Sequence, residues 1–215
     1  MKDDDPLLLA WQATISRKGE DPAVFHANGS IARTFRDIEE HACGFNAKIR
    51  DLIPGTVLAV QIGNHEDWPA IFIACLRKQL VVLPLDQSIG EQQRDAALEI
   101  CRTSAVVSVS PGEVPPATPD ALQGSSLHIT RLQTAQSPPN WGEIVPTLLK
   151  LTSGTTAAPR AIRFRSHQLL ADCNQICDTM QISDNDLNFS VIPVSHSYGF
   201  SNLLTPLIAR GVPMV

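Results

Sequence analysis

Short apolar runs at residues 57–62, 80–83 and 105–109 alternate with helix-period segments at 66–78 and 91–102. No other feature of the chain restricts its fold as much. A continuously apolar strand has no polar face to offer water, so both of its faces must be covered. Helices lying between such strands supply the cover and force the strands parallel. The spacing therefore predicts an α/β fold with a mostly parallel sheet flanked by helices. Pro69 is compatible with the helix over 66–78 only in its first turn.

The flanking segments extend this pattern. Asn28-Gly29 separates apolar stretches at 24–26 and 31–33, which predicts a hairpin. Thr34 can cap a following helix with Asp37 at its third position, and Ile38, Ala42, Phe45 and Ile49 then share one face. Residues 110–146 hold seven of the sixteen prolines and read as a Pro-rich loop region with one strand at 127–130. That region is a domain linker or a surface excursion. The resumption of the α/β pattern directly after it favours the excursion. Strands are expected at 148–151 and 161–165. Ser166 is then expected to cap a helix whose Leu169, Leu170, Cys173, Ile176, Cys177 and Met180 form one core stripe. A strand at 189–194 and a helix at 200–209, despite Pro206, complete the expectation.

Charge and cysteine usage exclude several function classes. Seventeen Lys and Arg against twenty-two Asp and Glu give a net charge of −5, which removes the electrostatic drive for general nucleic-acid binding. The longest apolar stretch is far short of the ~20 residues of a membrane span. Asp3, Asp4 and Asp5 stand before the apolar residues 7–11, where a secretory signal would be basic. A cytoplasmic protein is expected. The five cysteines show no C-x-x-C spacing. Cys173 and Cys177, one helical turn apart, read as two buried thiols in preference to a metal site. No metal ligands are assigned. The chain closes on the apolar stretch 211–215, which reads as a cut through an element.

Residues 152–160 carry the clearest chemistry. Thr152, Ser153, Thr155 and Thr156 surround Gly154 directly after an apolar strand. Hydroxyls and free backbone N–H groups suit phosphate oxygens, and Gly154 lets the backbone approach a ligand closely. Arg160, after Pro159, could supply a cation to a polyphosphate. From the residues alone, an anion-binding loop and a polar strand-to-strand turn both fit. No Gly-Lys-Ser/Thr closes a Walker A loop, and neither G-x-G-x-x-G nor G-x-S-x-G occurs.

The stretch from Leu149 to Ala161 resembles the phosphate-loop signature T-S-G-[ST]-T-G-x-P-K-G of the adenylate-forming (AMP-forming) acyl-CoA synthetase superfamily. Two further stretches agree in order. Leu76 to Asp86 resembles that family's L-x-A-G-x-x-x-x-P-L-D segment. Pro193-Val194-Ser195-His196-Ser197-Tyr198-Gly199 resembles its P-x-x-H-x-x-G segment. The resemblance implies the N-terminal part of an acyl- or aryl-acid–CoA ligase over residues 1–215. A first α/β subdomain would span 55–165, and 20–50 with 185–215 would form part of a second, incomplete α/β sheet. It implies that Thr152, Ser153, Gly154, Thr155, Thr156 and Arg160 bind ATP phosphates. His196 and Tyr198 would then lie at the acyl pocket, with Gly199 leaving space for substrate. The parent cofactors would be ATP, Mg²⁺ and CoA, and its partners a carboxylic acid and a CoA or carrier-protein thiol.

This sequence departs from the pattern at Ala157 and Ala161, which replace glycines, and at Arg160, which replaces lysine. An alanine held at positive φ costs on the order of 1–2 kcal/mol, and Arg differs from Lys in reach and geometry. The family's adenine, ribose and Mg²⁺ motifs and its catalytic lysine follow the His segment and lie beyond residue 215. The resemblance thus implies no catalytic residue in this chain and no adenylation by it alone. Incomplete sheet edges are expected to promote self-association. The alternative is a short non-catalytic paralogue whose degenerate loop serves binding or scaffolding.

Overall fold

The computed structural model describes residues 5–109, 127–132, 137–152 and 160–215. Its centre is a six-stranded sheet in the order β6-β5-β3-β4-β7-β8. The strands are β3 (Val57–Gln61), β4 (Val81–Pro84), β5 (Thr103–Val109), β6 (Leu127–Arg131), β7 (Leu148–Leu151) and β8 (Ala161–Phe164). β5, β3, β4 and β7 run parallel, and β6 and β8 close the edges antiparallel. This is the expected α/β architecture, with a mostly parallel sheet between helices.

The pleat explains the two layers. Successive side chains of a strand point to opposite faces. Leu58, Val60, Val82 and Leu148 join one core cluster with α2 (Phe35–Lys48), α3 (Trp68–Lys78), α5 (Ser166–Met180) and α7 (Thr205–Arg210). Val57, Ala59, Val81, Leu83 and Leu149 face the other way, onto Ala97 and Cys101 at α4 (Glu91–Ile100) and onto Trp141. Residues 57–60 and 81–83 are all 0% exposed, which is what apolar runs without alternation require.

The helix termini follow local chemistry. Thr34 and Asp37 make the expected capping box at α2, with the Asp37 amide donating to the Thr34 hydroxyl at 3.1 Å and the Thr34 amide to the Asp37 carboxylate at 2.8 Å. α1 (Pro6–Lys18) has no counterpart in the sequence expectation. Its cap is Asp5, whose carboxylate accepts the Leu7 and Leu8 amides, and Pro6 occupies the first helical position. Buried Trp11 donates its indole N–H to Glu39 at 2.7 Å, and Arg77 lies 2.8 Å from both oxygens of that carboxylate. This links α1, α2 and α3.

Three expectations need correction. Ser166 is the first residue of α5, not its cap; its hydroxyl is engaged by Thr147 and Asp5, and Gln168 accepts the Arg165 amide instead. The core stripe of α5 ends at Cys177, and Met180 is exposed. Residues 189–194 are not a strand. Pro193 has no N–H to give to a ladder, and the neighbouring backbone groups are held by a side chain described below. Only Asn188 forms a bridge there, to Met214, which also bridges Val24 of β1 (Pro22–Phe25). Residues 213–215 thus lie between β1 and residues 188–190, beside the small antiparallel sheet of β1 and β2 (Ile31–Thr34).

The final helical stretch starts earlier than its apolar pattern suggests. α6 (Ser197–Gly199) leads into a π-wound turn at Phe200–Leu204 and then into α7. No helix among the described residues is long and apolar enough to cross a membrane.

Two outcomes test this packing. A Cβ on Gly199 would lie 2.1 Å from the Pro193 carbonyl oxygen. Gly199→Ala is therefore expected to destabilise the chain by about 3 kcal/mol, as overpacking of rigid backbone does. An unchanged urea midpoint would contradict this. His65 is half-buried, and desolvation pushes its imidazole below the ordinary 6.5. Its neutral form is favoured in the fold, so its contribution is complete above about pH 6.5 and is lost as pH falls through the lower folded value. The urea midpoint should fall less between about pH 7.5 and pH 5 in His65→Gln than in the parent chain.

Candidate functional site

Because β3, β4 and β7 are parallel, the chain leaves all three at one edge of the sheet, the carboxyl edge, where open α/β sheets bind ligands. Polar residues emerge there at 62–67, at 85–90 and at Thr152.

Asp86 follows β4 by two residues. Its carboxylate accepts the Ser88 amide at 2.8 Å, the Ser88 hydroxyl at 2.6 Å and the Ser195 hydroxyl at 3.3 Å. The Ser88 hydroxyl is the largest cause holding the Asp86 carboxyl below the usual carboxylate range, followed by the Ser88 backbone N–H. The group is therefore an anion at neutral pH. His196 Nε2 lies 3.4 Å from Asp86 Oδ2, and its side chain is 59% exposed, so the ring is open to a ligand. Two of the three sequence motifs meet in this pair.

The segment carrying His196 is positioned from below by Asn64. The Asn64 amide donates to the Ser190 carbonyl at 2.7 Å and to the Ile192 carbonyl at 3.2 Å, and its oxygen accepts the Val194 amide at 2.8 Å. One side chain thus satisfies three backbone groups that a strand neighbour would otherwise pair. The loop holding Asn64 is itself tied down. Gly63 has φ +61°, its carbonyl accepts the Trp68 indole N–H at 2.6 Å, and a Cβ there would meet Gln87 Oε1 at 2.5 Å.

Tyr198 is exposed and lines a cavity of about 230 Å³ with Phe189, Val191, Ile192, Asn202 and Leu203. Gly199 is buried, and the space its missing side chain frees is filled by the Pro193 carbonyl. A second cavity, of about 370 Å³, lies between α2 and α3, away from these motifs.

Of the hydroxyl-rich stretch, Ser153, Gly154, Thr155, Thr156 and Ala157 lie outside the described residues. Its two ends are placed. Thr152 donates its amide to the Arg160 carbonyl at 2.9 Å, and the Arg160 amide donates to the Thr152 hydroxyl at 3.2 Å. These bonds continue the β7–β8 ladder by one pair and bring Arg160, exposed, beside Thr152. Both amides are thereby engaged, and what is left to meet an anion such as phosphate is the Thr152 hydroxyl proton and the Arg160 guanidinium. Among the described residues no group of three or more His, Cys, Asp or Glu could hold a metal ion.

Lys150 joins the end of β7 to the turn that follows His196. From β7 its ammonium reaches within 3.4 Å of the Ser197 carbonyl and the Ser201 hydroxyl. Sequence reasoning assigned no role to Asn64, Ser195 or Lys150, and quoted Asp86 only as part of a motif. A signal existed for two of them. Asn64 begins a polar run directly after an apolar strand, and Lys150 is a charge within an apolar one.

A family model described as AMP-binding enzyme matches residues 10–215. The indoleacetate–CoA ligase of Aromatoleum aromaticum is 24% identical over 172 residues, which are 71% of this chain and 33% of that protein. Among solved structures, the long-chain-fatty-acid-CoA ligase FadD1 of Archaeoglobus fulgidus superposes with a TM-score of 0.73 at 16% identity, covering 98% of this chain and 46% of that one. The O-succinylbenzoate coenzyme A synthetase MenE of Bacillus subtilis, in complex with AMP, gives 0.72 at 16% identity, covering 96% and 54%. At such identities the superpositions speak for the fold. The chain spans about a third of the curated relative's length and about half of each solved structure. With 206 of its 215 residues inside the family match, and the three motifs in order along it, the chain belongs to the AMP-binding enzyme family.

Proposed function

We propose that the chain is the N-terminal part of an AMP-forming acyl- or aryl-acid–CoA ligase. The parent reaction would be ATP-dependent adenylation of a carboxylic acid, followed by transfer of the acyl group to a thiol. One observation carries this reading. The segment after β4, the end of β7 at Thr152 and the His196 arm meet at one sheet edge, where His196 stands 3.4 Å from Asp86 and Lys150 lies against the Ser197–Ser201 turn.

In this reading Thr152, Ser153, Gly154, Thr155 and Thr156 cradle the ATP phosphates, and Arg160 is the cation that follows them. His196 and Tyr198 border the acid, and Gly199 lets the arm turn tightly beneath them. Residues 55–165 make up a first α/β subdomain, and 20–50 with 185–215 contribute to a second. The parent would use Mg²⁺ and CoA with ligands from outside this chain. The indoleacetate ligase and the fatty-acid and succinylbenzoate synthetases among the similar proteins support an acid–CoA ligase. No observation on the fold favours the non-catalytic alternative.

Phosphoryl and acyl chemistry of this kind depends on positioning and charge stabilisation. Binding and turnover are therefore separable in the 215-residue chain. Equilibrium dialysis with radiolabelled ATP is expected to show saturable binding that Arg160→Ala weakens about tenfold, or ~1.4 kcal/mol. Equal affinity of the variant and the parent chain would remove Arg160 from the phosphate site. ATP–pyrophosphate exchange by the purified chain is expected to stay at the buffer blank for any carboxylic acid offered. Loss of even one oxyanion-type donor costs on the order of 10²–10³ in rate, and several groups would be missing. Exchange above the blank would show that this chain adenylates acids alone.

A further inference from the structure

Lys150 is a charge placed inside the otherwise apolar strand Leu148–Leu151, half-buried, with weak protein partners. Its two nearest oxygens, the Ser197 carbonyl and the Ser201 hydroxyl, are both 3.4 Å away. Charge-assisted bonds from an ammonium are normally about 2.7–2.9 Å. The remaining contacts are ring faces, with Phe164 centred 4.8 Å and Phe200 5.8 Å from Nζ. Among the described residues no carboxylate lies within ion-pair distance. Lys18, by contrast, pairs with Asp21 and Asp184, and Lys78 donates to the Arg50 carbonyl at 2.9 Å.

Two further observations place this cation at a working position. The helix it touches is π-wound at Phe200–Leu204, with the Thr205 amide donating to the Phe200 carbonyl. Such turns are frequent at functional sites. Burial also pushes the Lys150 ammonium below the ordinary lysine value, with Asp172 opposing in part. A half-buried cation without a counter-ion is disfavoured until an anion arrives.

We propose that the Lys150 ammonium is the seat for an oxyanion of the bound ligand, and that this oxyanion is a second anionic group on the carboxylic acid. The proposal rests on the reading above that the acid lies at the His196 motif. The acid is favoured over a nucleotide phosphate as the source because Nζ contacts Ser197 and Ser201, which flank Tyr198, and has no contact with Thr152 or Arg160. The parent enzyme would then select acids carrying a second carboxylate or similar group over simple monoacids.

Competitive acetylation of amines in the 215-residue chain, read by peptide mass spectrometry, tests this. The rate at Lys150 is compared with that at Lys78 in the presence of α,ω-dicarboxylates from succinate to adipate, of propionate, and of inorganic pyrophosphate. At least one dicarboxylate is expected to slow Lys150 fivefold or more in a saturable way, with Lys78 and the propionate control unchanged. Protection by pyrophosphate alone would keep the oxyanion seat and overturn its assignment to the acid. Protection by no dianion would overturn the seat itself. Lys150→Met supplies a second readout, since the apolar isostere is expected to fold with equal or higher stability and to lose the rise in Tm that the protecting anion gives. A variant that is less stable yet keeps that rise would show the lysine to be structural. If ATP binds in an Arg160-dependent manner while Lys150 stays unprotected, this proposal fails and the ligase reading stands. Protection of Lys150 by a dicarboxylate without any ATP binding would keep the oxyanion seat and overturn the ligase reading.

Discussion

Two-sided burial of β3 and β4 is the constraint on which the rest of the molecule depends. Every residue from Val57 to Val60 and from Val81 to Leu83 is fully covered, so neither strand can present a polar group from its face. Polar chemistry is displaced to the strand ends. Parallel order then gathers those ends on one edge. Asn64, Asp86 and Thr152 each sit within three residues of the end of their strand, at Gln61, Pro84 and Leu151. The site is in this sense a consequence of the core. Apolar strands and a single polar edge are one requirement expressed twice.

The His196 arm shows how a segment can be fixed without regular structure. A strand at 189–194 would have supplied ladder partners for its backbone. Pro193 interrupts such a ladder, and Asn64 takes over with three hydrogen bonds to Ser190, Ile192 and Val194. Gly199 then packs its bare Cα against the Pro193 carbonyl, which brings the arm sharply into α6. The arm is held through its main chain, so the ring of His196 is left free of packing duties and faces both Asp86 and solvent. A side chain that must meet a ligand is best held this way, because its own atoms stay available.

Much of this was legible in the sequence, for reasons that can be named. The central strands and α3 declare themselves because unbroken apolar runs and a helical period have few other solutions. Thr34 with Asp37 and Asn28-Gly29 are local codes that need no tertiary context. α1 carries a local signal as well, Asp5-Pro6 being a cap followed by a first-turn proline, but its burial depends on distant partners such as Glu39 and Ile208. Ser166 was misread because a buried hydroxyl can be claimed by distant groups, here Thr147 and Asp5. The Asn64 clamp spans 126 to 130 residues of sequence. No periodicity or local propensity reports a contact of that range. The pairing of Asp86 with His196, 110 positions apart (196 − 86), was hidden for the same reason, although each residue stood in a motif.

The charge pattern of the edge adds a last step. With a net charge of −5 the chain repels polyanions in general, so any anion bound there must be drawn by local groups. Asp86 is held ionised and cannot welcome a second negative charge beside it. Lys150 and Arg160 have no carboxylate within ion-pair distance among the described residues, and they belong to the same hairpin. Lys150 and Thr152 lie two residues apart, hence on one side of the strand and about 7 Å apart along it. Arg160 is bonded across from Thr152 by two main-chain contacts. The edge therefore offers the ionised Asp86, with Glu66 and Asp67 already paired to Arg33, and a line of cation, hydroxyl and cation running along β7 and across to Arg160. A ligand with one anionic group would use part of that line. Two anionic groups, one at Thr152 and Arg160 and one at Lys150, would occupy it side by side, and selectivity would come from the spacing of the two cations as much as from their number.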